Sequence, residues 1–147
     1  MYTIEEFDKQ KTKVLKYIIY KKRSEQEIKS KFAKTIEEDM LEDIIEYLKK
    51  ANYINDKLYI EKTINNFMVL KNLSIKEIKY KLLAKGIKNN DIEDYIYNNI
   101  EELKQYEIKS AYNIICKKRM SLNEEEIKQY LLKKGYKSEN INLAMNE

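Results

Sequence analysis

The side chains able to do chemistry in this sequence are lysine, tyrosine and carboxylate, and very little else. Basic residues recur beside tyrosines in three stretches. Lys21, Lys22 and Arg23 follow Tyr17 and Tyr20; Lys76, Lys79, Lys81, Lys85 and Lys88 flank Tyr80; Lys117, Lys118, Arg119, Lys133, Lys134 and Lys137 lie about Tyr130 and Tyr136. An ammonium group contacts phosphate, and a tyrosine ring stacks on a base. The candidate set for nucleic-acid contact is therefore Lys21, Lys22, Arg23, Lys76, Lys79, Lys85, Lys117, Lys118, Arg119, Lys133 and Lys134. The competing reading is solvation: lysines on polar faces, lysines at helix ends favoured by the helix dipole, and tyrosines at core edges. The acidic runs Glu37-Glu38-Asp39 and Glu124-Glu125-Glu126 offer a different, protein-contacting surface.

Enzymatic chemistry is disfavoured by composition. The 147 residues include no histidine, so the commonest general base and transition-metal ligand is missing. With one cysteine, Cys116, neither an internal disulfide nor a zinc site of the usual kinds can be built. Cys116 lies among apolar residues and is expected to be a buried thiol. The two glycines, Gly86 and Gly135, stand too far apart for a phosphate-cradling loop. No cofactor is expected. Basic residues number 29 and acidic ones 25, a mild excess that permits a phosphate-rich partner without demanding one. The acidic start lacks a signal-peptide pattern, and no run approaches the roughly 18 apolar residues of a membrane span. A soluble, cytoplasmic, monomeric protein with no membrane contact is expected.

The elements that must carry these side chains are helices. Proline is absent, and two glycines cannot supply the turns of a strand-rich fold. Three strings align at spacings of 50 and 49 residues: Glu27-Ile28-Lys29-Ser30-Lys31-Phe32, Glu77-Ile78-Lys79-Tyr80-Lys81-Leu82 and Glu126-Ile127-Lys128-Gln129-Tyr130-Leu131. Each glutamate follows a capping residue by three positions, Ser24, Ser74 and Asn123, as in a capping box. Gly86 and Gly135 align as helix stops, and Asn89 and Ser138 as the next starts. The first copy lacks this glycine, and Thr35 with Glu38 suggests another capping box there.

Apolar stripes at three-and-four spacing supply the flanking helices. They are Val14, Leu15, Ile18, Ile19 and Met40, Leu41, Ile44, Ile45, Leu48; then Ile60, Ile64, Phe67, Met68 and Ile92, Ile96, Ile100, Leu103; then Ile108, Ala111, Tyr112, Ile115 and Ile141, Ala144, Met145. The joints between copies are expected at Asn52–Asp56 and Lys104–Glu107. The expected fold is all-α: three tandem three-helix repeats over 1–54, 55–104 and 105–147, forming an elongated, curved array.

Four stretches together resemble the RecX family of recombinase regulators over roughly Asp8 to Met145. They are Arg23-Ser24 with Glu27-Ile28; Ala51 to Ile60, reading Ala-Asn-Tyr-Ile-Asn-Asp-Lys-Leu-Tyr-Ile; Ile75 to Ile87, ending Leu-Ala-Lys-Gly-Ile; and Leu131 to Tyr136 with Ile141 to Ala144. The family commonly carries glycine where Asn52 stands, glycine near Asn72, and alanine in place of Ile60. Asparagine is the next-best residue for a left-handed turn. The resemblance implies a protein that binds the RecA recombinase or its filament on single-stranded DNA. It implies inhibition of ATP hydrolysis, strand exchange and coprotease activity, without a cofactor. The candidate lysines and arginines would then contact the filament, or single- or double-stranded DNA without sequence specificity. The alternative is a helical DNA-binding protein with helix-turn-helix-like units, a transcription regulator. Only Arg23 and Arg119 could act as base-reading arginines, which disfavours it. A protein-only scaffold is the third reading, separable by DNA affinity.

Overall fold

The protein is described here by a computed structural model covering residues 2–147. Nine α-helices and no strands occur among the described residues: α1 (Ile4–Tyr20), α2 (Glu25–Phe32), α3 (Glu38–Lys50), α4 (Asp56–Leu70), α5 (Ile75–Ala84), α6 (Asn89–Asn98), α7 (Ile100–Lys118), α8 (Glu124–Lys133) and α9 (Ser138–Met145). Capping boxes close the amino ends of α2, α5 and α8 at Ser24, Ser74 and Asn123, and a further one at Thr3 and Glu6 starts α1. Thr35 and Glu38 form no such box. α3 begins after Glu37 without a side-chain cap, and the Thr35 hydroxyl instead turns back to the Phe32 carbonyl.

Three helices end in the same left-handed turn. At α5, Gly86 (φ +84°) lets its own N–H reach the Leu83 carbonyl while the Ile87 N–H reaches Leu82, at 3.0 and 3.2 Å. Gly135 repeats this against Leu132 and Leu131. After α3 the turn residue is Asn52, at φ +64°, with matching bonds from Asn52 to Lys49 and from Tyr53 to Leu48. Asparagine therefore performs at 52 the task expected of it. Asn72 does not: its φ is not positive, and its side chain instead accepts a hydrogen bond from Asn113.

Buried apolar residues gather into three clusters. The first joins α1–α3 around Val14, Ile28, Ile44 and Leu48; the second joins α4–α6 with the start of α7, around Ile60, Ile78, Leu82 and Ile92; the third joins α7–α9 around Ala111, Ile115, Ile127 and Leu131. Burying one such Ile or Leu is worth about 1.5–3 kcal/mol. α7 serves two clusters, with Leu103 and Tyr106 in the second and Ile108 onward in the third. Lys104–Glu107 is therefore no joint but mid-helix, and the chain breaks earlier, at Asn99. Ile100 and Leu103 consequently belong to α7 rather than to the stripe of α6. Two other placements differ from expectation, Ile19 from its stripe and Cys116 from a buried thiol. Ile19 is 69% exposed, and Cys116 is exposed because it sits about 100° round α7 from buried Ile115.

Neighbouring clusters are joined by one arrangement used twice. The Ser24 hydroxyl donates to the carbonyl of Lys85, just before Gly86, at 2.9 Å; the Ser74 hydroxyl donates to Lys134, just before Gly135, at 2.8 Å. Beside the first contact the Asp56 carboxylate accepts from the Glu25 N–H, and beside the second the Glu107 carboxylate accepts from the Ile75 N–H. Each middle helix thus lays its amino end on the carboxyl end of the next middle helix, and an acid from the intervening helix satisfies one more orphan N–H. Asn123 meets no such carbonyl and stays exposed.

Candidate nucleic-acid interface

Helix ends place most of the candidate cations. α1 terminates at Lys21, where the exposed run Lys21-Lys22 leaves the helix beside the first joint. There Lys21, Lys22 and Lys85 border one cavity of about 370 Å³ together with Lys62, Thr63, Asn66, Phe67 and Tyr59. Lys62 was not singled out from the sequence, because it sits on the polar face of α4 rather than in a basic run. Partial desolvation and the nearby positive charge of Lys62 pull the Lys22 pKa below its ordinary value. Tyr59 closes the floor. Burial and its hydrogen bond to Glu27 push its phenol up to about 12, so it remains a neutral donor.

Arg23 turns away from this cavity. Its guanidinium lies 4.2 Å from the ring centroid of Tyr17, which itself packs edge-on against Phe32. Its Nε is buried with no hydrogen-bond partner in the protein.

At the second joint the side chain of Lys76 lies across Gly135, and Lys134 stands beside Glu77 at 3.8 Å. Lys134 and Lys118 share the face of Tyr130, at 5.4 and 4.3 Å from its centroid. Lys117, Arg119 and Lys133 are exposed nearby in sequence, at the ends of α7 and α8. Lys79 is engaged by an ion pair with Glu93. The structure therefore gathers Lys21, Lys22 and Lys85 in one place and Lys118 and Lys134 in another, and it draws Lys79 and Arg23 into internal contacts.

The tyrosines divide in the same way. Tyr20 and Tyr80 are 86% and 57% exposed, open for stacking. Tyr136 is buried, with its hydroxyl 2.7 Å from that of Ser110, and belongs to the core. No helix among the described residues is long and apolar enough to cross a membrane.

No family model matches the chain. Individual relatives do. A regulatory protein RecX from Staphylococcus epidermidis is 31% identical over 155 aligned residues, covering 100% of this chain and 58% of the relative. A regulatory protein RecX from Clostridium perfringens (strain 13 / Type A) is 34% identical over 119 residues, 78% of this chain and 55% of the relative. The chain thus spans about half the length of the curated relatives it matches. The crystal structure of RecX from Lactobacillus salivarius has the same fold, with a TM-score of 0.83 and 25% identity over 98% of this chain and 97% of that one.

Proposed function

The chain belongs to the RecX family, and from that premise we propose that it regulates the RecA recombinase by binding RecA or its filament on single-stranded DNA. The observation that carries the reading is the match in fold and sequence along nearly the whole chain to proteins named as RecX regulators. The proposed outcome of binding is inhibition of ATP hydrolysis, strand exchange and coprotease activity. On this reading the protein acts by occupancy rather than by chemistry on a substrate, and it needs no cofactor. It works as a monomer in the cytoplasm. A run of helical units joined end to end suits lying along the groove of a helical filament.

Contact with DNA on this reading is independent of sequence. Base-edge readout relies most on bidentate arginine, and one of the two arginines, Arg23, is spent on Tyr17. A lysine ammonium placed on a phosphate is a point charge, and that contact carries no sequence information.

The test is ATP hydrolysis by filaments of the same organism's recombinase on single-stranded DNA, with this protein titrated in. Hydrolysis is expected to fall with added protein. Undiminished hydrolysis at micromolar protein would overturn the proposal.

A further inference from the structure

The two joints carry one contact in two chemical versions. Counting from the cap serines, Lys22 corresponds to Asn72; counting from the acids Asp56 and Glu107, Lys62 corresponds to Asn113. At the second joint the pair is neutral and self-satisfied: the Asn113 amide donates to the Asn72 carbonyl oxygen at 3.0 Å. At the first joint the same two positions are both lysines, and their side chains line one cavity. Like charges so placed repel, and neither can accept what the other donates.

The surroundings add positive charge, and among the described residues no carboxylate forms an ion pair with it. Lys21 and Lys85 line the same cavity, no carboxylate lines it, and none of the four lysines forms an ion pair among the described residues. Lys134, the counterpart of Lys85, stands 3.8 Å from Glu77. Glu27, the counterpart of Glu77, is held by the Ser24 N–H and the Tyr59 hydroxyl and makes no ion pair with Lys85. The first joint thus carries two more cations than the second, and its Lys85 lacks the ion pair that Lys134 makes.

We infer that the notch between Lys22 and Lys62, with Lys21 and Lys85 on its rim, is a phosphate-binding site that takes a backbone phosphodiester of a single-stranded DNA. An anion between the ammonium groups converts a repulsive pair into two charge-assisted hydrogen bonds. The cavity of about 370 Å³ has room for a phosphodiester and its sugar, and the exposed Tyr20 ring stands just before Lys21 in the chain for a base. The inference shares the DNA contact of the functional proposal and narrows it to one place, but it does not require the recombinase.

The test uses the full chain without recombinase. A labelled single-stranded oligonucleotide is titrated by fluorescence anisotropy over a range of salt concentrations, with thermal melts in parallel. The variant Lys22→Asn with Lys62→Asn installs the pair that the second joint already tolerates. It is expected to melt no lower than the parent, and to bind about tenfold more weakly with a salt slope shallower by about 0.7 per lost phosphate. Lys62→Gln alone is expected to show the same trend at smaller size. Affinity and slope equal to the parent's in both variants would overturn the inference. So would a rise in melting temperature with inorganic phosphate when no oligonucleotide binds, which would assign the notch to a free anion. Because ATP hydrolysis is measured separately, a notch variant that loses oligonucleotide binding supports the notch whether or not inhibition survives in it. Unchanged hydrolysis beside intact oligonucleotide binding sinks the recombinase reading alone.

Discussion

A Cβ added to Gly86 would lie 2.5 Å from the Cβ and Cγ of Gln26, so this residue is held by its neighbour as much as by its own φ of +84°. Gln26 cannot swing away cheaply, since the collision is at the root of its side chain. Gly86→Ala is expected to cost about 2–4 kcal/mol, from left-handed strain plus overpacking. Gly135→Ala, which meets Lys76 at 2.9 Å, is expected to cost less; denaturant titration ranks the two.

Residue-scale electrostatics set an acid limb. Burial pushes the Glu27 carboxyl up, but the Ser24 N–H, the Tyr59 hydroxyl and the charge of Lys85 outweigh it, and its pKa falls below the ordinary carboxylate range. Glu25 follows the same course, with Lys49 and Lys29 outweighing burial. A folded pKa below the unfolded one gives stability that is present above the unfolded value of about 4.3 and lost as pH falls through the folded value. Asp56 runs the other way. Burial outweighs its bond from the Glu25 N–H and raises its pKa, so its contribution declines as pH rises from the unfolded to the folded value. Melting temperatures between pH 6 and pH 3 should therefore fall on acidification. The fall should be flatter in Glu27→Gln and steeper in Asp56→Asn; parallel curves for all three proteins would contradict these assignments.

At the scale of elements, the repeat of caps and stops was legible from composition and spacing alone. Ser24, Ser74 and Asn123 cap α2, α5 and α8, and the glycines end α5 and α8 where they were expected. Local chemistry decides these features, since a cap needs only its own first turn. What was not legible depends on partners distant in sequence. α7 runs unbroken through Lys104–Glu107, and the inward turn of Glu107 to the Ile75 N–H and the Asn140 amide is a long-range contact that no local pattern reveals. Lys62 escaped notice for the same reason: its meaning lies in Lys22, forty residues earlier. Aligning the acids Asp56 and Glu107 as well as the serines would have found it.

The joint also explains why the glycine is missing from the first copy and the serine from the third. Glycine is required only where a preceding helix end lies on it, and serine only where a following carbonyl waits. Ser24→Ala should therefore lose more than a cap. The cap is worth about 1 kcal/mol, and the orphaned Lys85 carbonyl adds about 1–3 kcal/mol. Asn123→Ala should lose only the cap, about 1 kcal/mol. Equal losses in the two variants, measured by urea unfolding, would remove the serine from the joint.

For the molecule as a whole, the remaining question is whether one binding surface or two serve a partner. The notch lies between the first and second clusters, whereas Lys117, Lys118 and Arg119 close α7 at the third. Lys117 and Arg119 are exposed, and Lys118 loses only its place over Tyr130 on substitution, worth about 0.5–1 kcal/mol at a surface site. Replacing all three with glutamate should therefore leave the melting temperature within a few degrees of the parent's. If a DNA strand or filament spans both regions, this charge reversal weakens binding, and its effect adds in free energy to that of the Lys22 and Lys62 substitutions, as expected for separate sites without shared partners. If only the notch is used, the reversal leaves affinity unchanged in the parent and in the notch variant alike. Anisotropy on the four proteins of this cycle decides between them. The placement of a basic run at the carboxyl end of both α1 and α7 favours the additive outcome.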